Sequence, residues 1–187
     1  ESISPLMDDT ERLYACLETY YTTYEKHNNA MWVNKLGLDQ FLESDVELIQ
    51  ELTTNLQLVE TDMTIFFRLL SSMDEPSIDH LQFAFYNEES VPKEKWNQWL
   101  QAWWQRVEGN PDRKVMRSSN PKYVLRNWMA QLAIDAAEKD DYSVAEELYD
   151  LLKNPYDEQP QHEEKWFQKR PEWARHRVGC SMLSCSS

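Results

Sequence analysis

The stretch SSNPKYVLRNWMAQLAIDAAE, residues Ser118–Glu138, carries the strongest fold signal in the chain. Asn120 is a good N-cap, because its side chain can accept hydrogen bonds from the free amides of a first helical turn. Pro121 suits the first helical position, where its missing N–H costs no hydrogen bond. Apolar residues then follow along one helical face, namely Val124, Leu125, Trp128, Met129, Leu132, Ala133 and Ala136. The stretch predicts an amphipathic helix from Asn120 to about Glu138 that organises the core.

Three polar residues interrupt this apolar neighbourhood, and they are the candidate structural or domain-interface residues of the chain: Arg126, Asn127 and Gln131. A polar group beside Trp128 must be paired or must reach solvent. One interpretation makes Arg126 half of a buried or rim ion pair. The other has Arg126 and Asn127 bond across a domain interface.

The composition is that of one ordinary globular domain of 187 residues. Its three glycines, Gly37, Gly109 and Gly179, lie too far apart to build a glycine-rich phosphate loop. The net charge of −14 disfavours nucleic acid and anionic membranes as partners. No apolar run approaches the length of a membrane span. The N-terminal ESISPLMDDT has neither an initiator Met nor the pattern of a signal peptide, so we expect a processed or truncated piece.

A first helix is predicted from Asp8 or Asp9 to about Lys26, with Cys16 as a small core residue. Its apolar face consists of Leu13, Leu17, Tyr20, Tyr21 and Tyr24. The segment His27–Asn29 is expected to break or kink the chain before a shorter helix that Gly37 caps.

Further helices are predicted at 44–59, 62–70, 92–107 and 143–152, and two of them open with capping-box patterns at Ser44 and Ser143. Because Lys139-Asp140-Asp141 makes a tight turn, the last of these pairs with the central helix as an αα-hairpin. We predict an all-α, multi-helix bundle over residues 1–153. Residues 154–187, rich in proline and charge, form an extended C-terminal arm, and order is expected to fade after about Glu172 unless a partner holds it.

Four tryptophans fall within nine residues: Trp96, Trp99, Trp103 and Trp104. Such a row could be a ligand platform or a base-stacking surface. The alternative is a core helix with large side chains, which the helical spacing and the acidity of the chain favour.

No catalytic constellation stands out. The four histidines are scattered, the chain lacks H-x-x-x-H and C-x-x-C spacings, and no nucleophile-elbow motif occurs, so we predict no catalytic residue and no metal site. Cys185, three residues from the end, suits thiol–disulfide exchange, where access matters more than rigidity. We expect it to react faster than Cys16. Cys180 is a possible second thiol, close enough for a small loop disulfide with Cys185 if the arm bends.

The pattern N-P-x-x-x-L-R-N-W-x-A-Q-x-A-I-x-A-A, from Asn120 to Ala137, resembles the C-terminal part of the selenoprotein O family. NPYDEQP, PEWA and the terminal SCSS fit the same family, as do NKLGL at 34–38 and FFRLLS at 66–71. The resemblance is looser from Pro76 to Asp112.

The resemblance implies the helical C-terminal extension of a protein-kinase-like enzyme that transfers AMP from ATP, with Mg²⁺ or Mn²⁺, to hydroxyl side chains of proteins. It also implies that the ATP-binding and catalytic groups lie N-terminal to this chain, which binds no cofactor itself. The terminal Cys-Ser-Ser of the family corresponds to Cys185–Ser187, and it implies a redox role through pairing with a cysteine of the kinase-like core. The implied partners are that core and the protein substrates of the enzyme. The implied location is intracellular, cytoplasmic in a bacterium or mitochondrial in a eukaryote.

Two functions are therefore open. The chain is either the non-catalytic helical domain of a redox-regulated protein adenylyltransferase, or a stand-alone helical interaction module that binds another chain through an aromatic face. Both predict an exposed apolar surface.

Overall fold

Helices account for the regular structure of the computed structural model, which describes residues 10–178 and residue 180. In order, the helices are α1 (Thr10–Leu36), α2 (Asp45–Leu58), α3 (Met63–Leu70), 3₁₀ helices at Ile78–Ala84 and Glu88–Ser90, α4 (Lys93–Arg106), α5 (Arg113–Ser119), α6 (Asn127–Ala137), α7 (Ser143–Lys153), α8 (Pro160–Trp166) and α9 (Glu172–Arg175). Among pairings with both partners in the described residues, an isolated β-bridge joins Thr61 and Phe85. The all-α prediction is confirmed.

Helix α1 is a single helix, so the predicted break at His27–Asn29 is wrong. It ends where Gly37 takes a positive φ of 67° and the Leu38 amide donates to the Val33 carbonyl at 3.0 Å. This is the Schellman arrangement that the glycine predicts. A Cβ on Gly37 would lie 2.7 Å from the Met116 sulfur, so the glycine also allows α5 to approach closely.

Aspartates, not the predicted serines, cap several helices. Asp62 accepts from the Ile65 amide at the start of α3, and Asp112 accepts from the Val115 amide at the start of α5. Ser44 has helical dihedral angles and makes no side-chain cap. The capping-box prediction is therefore wrong there, although the helix it announced exists. Helix α7 also begins at Ser143 without a side-chain cap.

The central stretch differs from its prediction over its first third. Residues 120–126 are non-helical, with bends at Asn120 and Lys122, and α6 begins only at Asn127. The Asn120 side chain is occupied elsewhere, since its Nδ2 donates to the Lys35 carbonyl at 3.0 Å and its Oδ1 accepts from Lys35 Nζ at 2.8 Å. An N-cap needs that oxygen for its own first turn. Asn120 instead ties the end of α5 to the end of α1.

The tryptophan row forms the centre of the core. Trp96, Trp99 and Trp103 are each at most 1% exposed, which confirms the core-helix alternative. Trp99 and Trp103 stack with ring centroids 6.2 Å apart. Their indole N–H groups donate to the Leu48 and Leu36 carbonyls at 2.8 and 2.9 Å. Helix α4 thus fastens α2 and the end of α1 to one core.

Helices α6 and α7 pack as the predicted αα-hairpin. After Asn154 the chain adds the short helices α8 and α9, which turns and irregular segments connect. The expected loss of order after about Glu172 stays a prediction. In the structure, α9 and the ion pairs of Arg175 and Arg177 occupy residues 172–177. None of the helices in the described part of the chain is long and apolar enough to cross a membrane.

Candidate functional site

The non-helical segment 120–126 and the C-terminal arm meet at two buried cations. Lys122 is 4% exposed, and its Nζ donates to the Glu158 carbonyl and carboxylate, each at 3.0 Å, and to Glu163 at 2.7 Å. Arg68 of α3 forms an ion pair with the same Glu158. Arg68 also donates to the carbonyls of Arg117 and Asn120. The start of the arm is therefore held on α3 and on segment 120–126 by charge-assisted hydrogen bonds.

The electrostatics of this cluster favour the charged forms. Burial alone would lower the pKa of Lys122, but its hydrogen bonds with Glu163 and Glu158 outweigh that effect and raise the pKa. Burial acts to raise the pKa of Glu158, whereas the Lys122 hydrogen bond and the charge of Arg68 prevail and lower it. Such mutually satisfied charges are typical of a structural junction, although perturbed groups also occur at active sites.

Arg126 forms an ion pair with Asp62, so the ion-pair interpretation describes its contact in the structure. Its second guanidinium nitrogen donates to Asp62 at 2.8 Å, and Asp62 is itself buried. Because the same carboxylate caps α3, Arg126 links the entry of α6 to the start of α3. The role of Arg126 at a domain interface stays a prediction.

The middle of the arm crosses a platform made by Glu60 and Tyr86. Arg170 and Arg175 both form ion pairs with Glu60, and Arg170 donates its backbone N–H to the Tyr86 hydroxyl at 2.8 Å. Lys169 donates to the Phe85 carbonyl at 2.6 Å. The Arg170 guanidinium lies 5.3 Å from the centre of the Tyr86 ring, within the range of a cation–π contact.

The last ion pair of the arm within the described residues is with α6. Arg177 makes two hydrogen bonds to Asp135, at 2.7 and 2.6 Å, and Gln131 donates to the same carboxylate at 2.8 Å. The hydrogen bonds from Arg177 and Gln131 lower the pKa of Asp135. Gln131, one of the predicted site residues, thus supports the aspartate that holds the arm.

The burial of the described cysteines differs from the prediction. Cys16 is exposed on α1, so its assignment as a core residue is wrong. Cys180 is buried, 6% exposed, and both are free thiols. Cys185 lies outside the described residues. We expected Cys185 to react faster than Cys16 because Cys16 was predicted to be buried. Since Cys16 is exposed, that reason no longer holds.

The predicted interface residues are not brought together. Arg126 points to α3 through Asp62, Gln131 points to the arm through Asp135, and Asn127 is exposed at the first position of α6. Sequence reasoning missed the cluster of Lys122, Arg68 and Glu158. The one signal in the sequence is a lysine placed between Pro121 and an apolar run. The partners of that lysine could not be predicted, because they come from distant parts of the chain.

A conventional catalytic centre does not emerge from the described residues. They contain no group of three or more His, Cys, Asp or Glu side chains that could hold a metal ion. A cleft beside Gly37 is lined by Asp39, Arg106 and Asp112. Arg106 is already committed there to Asp39 and Asp45, at 3.0 and 2.7 Å. Within the described residues, the ion pairs and hydrogen bonds of the arm therefore form an extensive polar network, and their contacts hold the arm on α3, on segment 120–126 and on α6.

Comparison with known proteins adds a family. The family model described as protein adenylyltransferase SelO matches residues 1–153. The chain is similar to the protein nucleotidyltransferase YdiU of Flavobacterium johnsoniae, at 49% identity over 199 aligned residues that cover the whole chain and 38% of that protein. The corresponding proteins of Aromatoleum aromaticum and Rhodopirellula baltica are 43% and 41% identical, again over the whole chain and over 37% and 39% of their own lengths. The chain thus spans less than two fifths of the length of these curated relatives.

Proposed function

Because this chain belongs to the protein adenylyltransferase SelO family, we propose that it is the non-catalytic helical part of an enzyme that transfers AMP from ATP to hydroxyl side chains of proteins. One observation carries the proposal: the family model matches residues 1–153, whereas the whole chain covers only 38% of the length of the Flavobacterium johnsoniae relative. The names of those relatives describe them as protein nucleotidyltransferases.

The catalytic groups belong, on this proposal, to the part of the relatives that this chain does not span. ATP with Mg²⁺ or Mn²⁺ would bind there. The residues described in this chain do not fit a metal–nucleotide site, because they include no metal-binding cluster and the glycines are far apart. The kinase-like core and the protein substrates are the proposed partners.

The C-terminal arm is proposed to carry a redox-regulatory thiol at Cys185. The arm is fastened at Glu158, at Glu60 and at Asp135, so its path is fixed up to a few residues before the terminal Ser-Cys-Ser-Ser. A thiol that follows a fixed arm on a short segment can reach a defined partner without being rigid itself. Cys180 is the possible second thiol.

A chimera tests the adenylyltransferase assignment, in which this chain replaces the aligned segment of the Flavobacterium johnsoniae relative. We expect the chimera to transfer radiolabelled AMP from ATP to protein in the presence of Mg²⁺ or Mn²⁺, and the isolated chain to transfer none. A Cys185→Ser chimera should keep that activity under reducing conditions and lose its sensitivity to oxidation. Transfer by the isolated chain, or an inactive chimera beside an active relative, would contradict the assignment.

The second candidate is a stand-alone interaction module, and one observation favours it. The Trp96–Trp104 row that first suggested an aromatic binding face is buried, but α1 exposes an aromatic row of its own. A stand-alone module would bind its partner equally well with or without the rest of the relative, whereas the adenylyltransferase domain functions only when joined to it.

A further inference from the structure

Helix α1 presents a row of large side chains to solvent. Leu17, Tyr20, Tyr24 and Met31 follow one another at spacings of three, four and seven residues, which places them on one face of the helix. We name these four residues the tyrosine stripe. Tyr20 and Tyr24 are 62% and 59% exposed, and their rings stack with centroids 6.3 Å apart.

The tyrosine stripe runs into an apolar cleft between α1 and α3. Met31 itself lines the cleft together with Trp32, Met63 and Phe67. Met63 is 48% exposed, although it is the first residue of a helix that otherwise packs into the core. The stripe and the cleft therefore lie on the same side of α1, with the polar His27 and Asn28 between Tyr24 and Met31.

The rest of α1 is mixed in character. Glu11, Glu18 and Glu25 recur every seven residues away from the stripe, and the exposed Tyr14 and Tyr21 lie between these glutamates and the stripe. Exposed apolar side chains that adjoin one another in this way mark an interaction surface. Because an aromatic side chain has about 150–250 Å² to bury, two tyrosines with Leu17 and Met31 expose on the order of a few hundred Å², as interaction surfaces do.

Two observations identify what covers this surface. A second copy is disfavoured because each chain carries a net charge of −14, which opposes self-association. About three-fifths of the length of each curated relative lies outside the region that aligns with this chain. A large part of such a polypeptide is therefore available to pack on α1.

We propose that the tyrosine stripe and the Met31–Met63 cleft are the surface on which this helical domain docks against the remaining part of its own polypeptide. The inference rests on the proposed function, which supplies that remaining part. The facing surface must be apolar and must offer acceptors for the tyrosine hydroxyl groups, since each Tyr combines a ring with a polar tip.

Hydroxyl-radical footprinting with mass spectrometry tests the docking surface without any substitution. The isolated 187-residue chain is compared with the chimera that joins it to the rest of the Flavobacterium johnsoniae relative. Tyr20, Tyr24 and Met31 should be oxidised several-fold more slowly in the chimera. Tyr142 is the matched internal control, because it is 58% exposed and lies on the far hairpin, and its oxidation should not change.

Each outcome decides the matter. Stripe residues that are oxidised equally fast in both proteins overturn the inference, even if the chimera transfers AMP and the proposed function stands. Protection that appears in the isolated chain as its concentration rises, with a dimeric mass by light scattering, overturns it in favour of a second copy. Protection in a chimera that transfers no AMP supports the docking surface while the catalytic assignment fails.

A pair of variants gives an independent readout. Tyr20→Gln with Tyr24→Gln should leave the melting temperature of the isolated chain nearly unchanged, because both side chains are exposed there. In the chimera the same pair should lower the melting temperature clearly more than Tyr142→Gln does. Equal shifts in the chimera would contradict docking at the stripe.

Discussion

Helices α4 and α1 each carry a row of large aromatic side chains along one face, and the two rows have opposite environments. The tryptophans of α4 are buried between α2 and the end of α1, whereas the tyrosines of α1 face solvent. The spacing of the residues is helical in both cases. The difference lies in whether the chain itself provides a second surface to cover the row. An apolar helical face therefore indicates that a second surface covers it, and that surface can belong to another part of the polypeptide.

The strongest way to break this comparison is to truncate one residue from each row. Trp99→Ala should destabilise the chain by about 3–5 kcal/mol, since it leaves a cavity in the core. Tyr24→Ala should change the free energy of unfolding by less than about 0.5 kcal/mol, as is usual at an exposed site. Urea denaturation followed by circular dichroism measures both.

A milder variant guards against a Trp99→Ala protein that does not fold. Trp99→Phe keeps the aromatic ring but loses the hydrogen bond to the Leu48 carbonyl. It should still cost more stability than Tyr24→Phe. Equal losses from the two rows would mean that the stripe is covered within the isolated chain.

The same contrast shows how far sequence reasoning reaches. Periodicity predicted the helices and the burial of the tryptophans, because these depend on local spacing and on the size of the side chains. It failed at Asn120, whose side chain bonds to Lys35, 85 residues earlier. Lys122 and Arg68 were missed for a similar reason, since Glu158 joins three distant segments. It also placed Cys16 in the core, because a sequence pattern does not reveal whether a face is covered.

Two glycines with the same backbone conformation differ in the space around them, and one of them, Gly37, lies where α1 meets the core. Gly37 and Gly109 both have φ of 67°, but a Cβ on Gly37 would meet the Met116 sulfur at 2.7 Å, whereas on Gly109 the nearest atom is 3.4 Å away. Gly109→Ala should cost about 1 kcal/mol for the backbone conformation alone. Gly37→Ala should cost a further 1–2 kcal/mol or so for overpacking. Thermal unfolding of the two variants gives the difference, and equal losses would show that Met116 moves aside freely.

Thiol labelling compares the two environments through their cysteines. Cys16 lies on the exposed half of α1, and Cys180 is buried in the C-terminal arm. Alkylation of the native chain should be at least about tenfold faster at Cys16, because the reaction requires access to the thiol. Mass mapping in a Cys185→Ser background assigns the two sites. Comparable alkylation rates would mean that the arm opens often enough to make the Cys180 thiol as accessible as the Cys16 thiol.

The smallest effect concerns the pH dependence of the arm. The pKa of Glu158 is lowered below its ordinary value of 4.5 in the folded chain, so the unfolded chain binds more protons as the pH falls towards and below that value. The stability that Glu158 contributes is complete above pH 4.5 and is lost as the pH falls through its folded pKa.

Because the Glu158 side chain is 57% exposed, solvent screening limits this contribution to less than about 1 kcal/mol. Glu158→Gln should therefore lower stability slightly at pH 7 and converge with the parent chain at acid pH. Glu164→Gln, an exposed carboxylate on α8, is the matched control and should run parallel to the parent chain. Urea titrations at several pH values measure the three curves. If Glu158→Gln also ran parallel to the parent chain, the arm would be held by packing and by its ion pairs with Glu60 and Asp135.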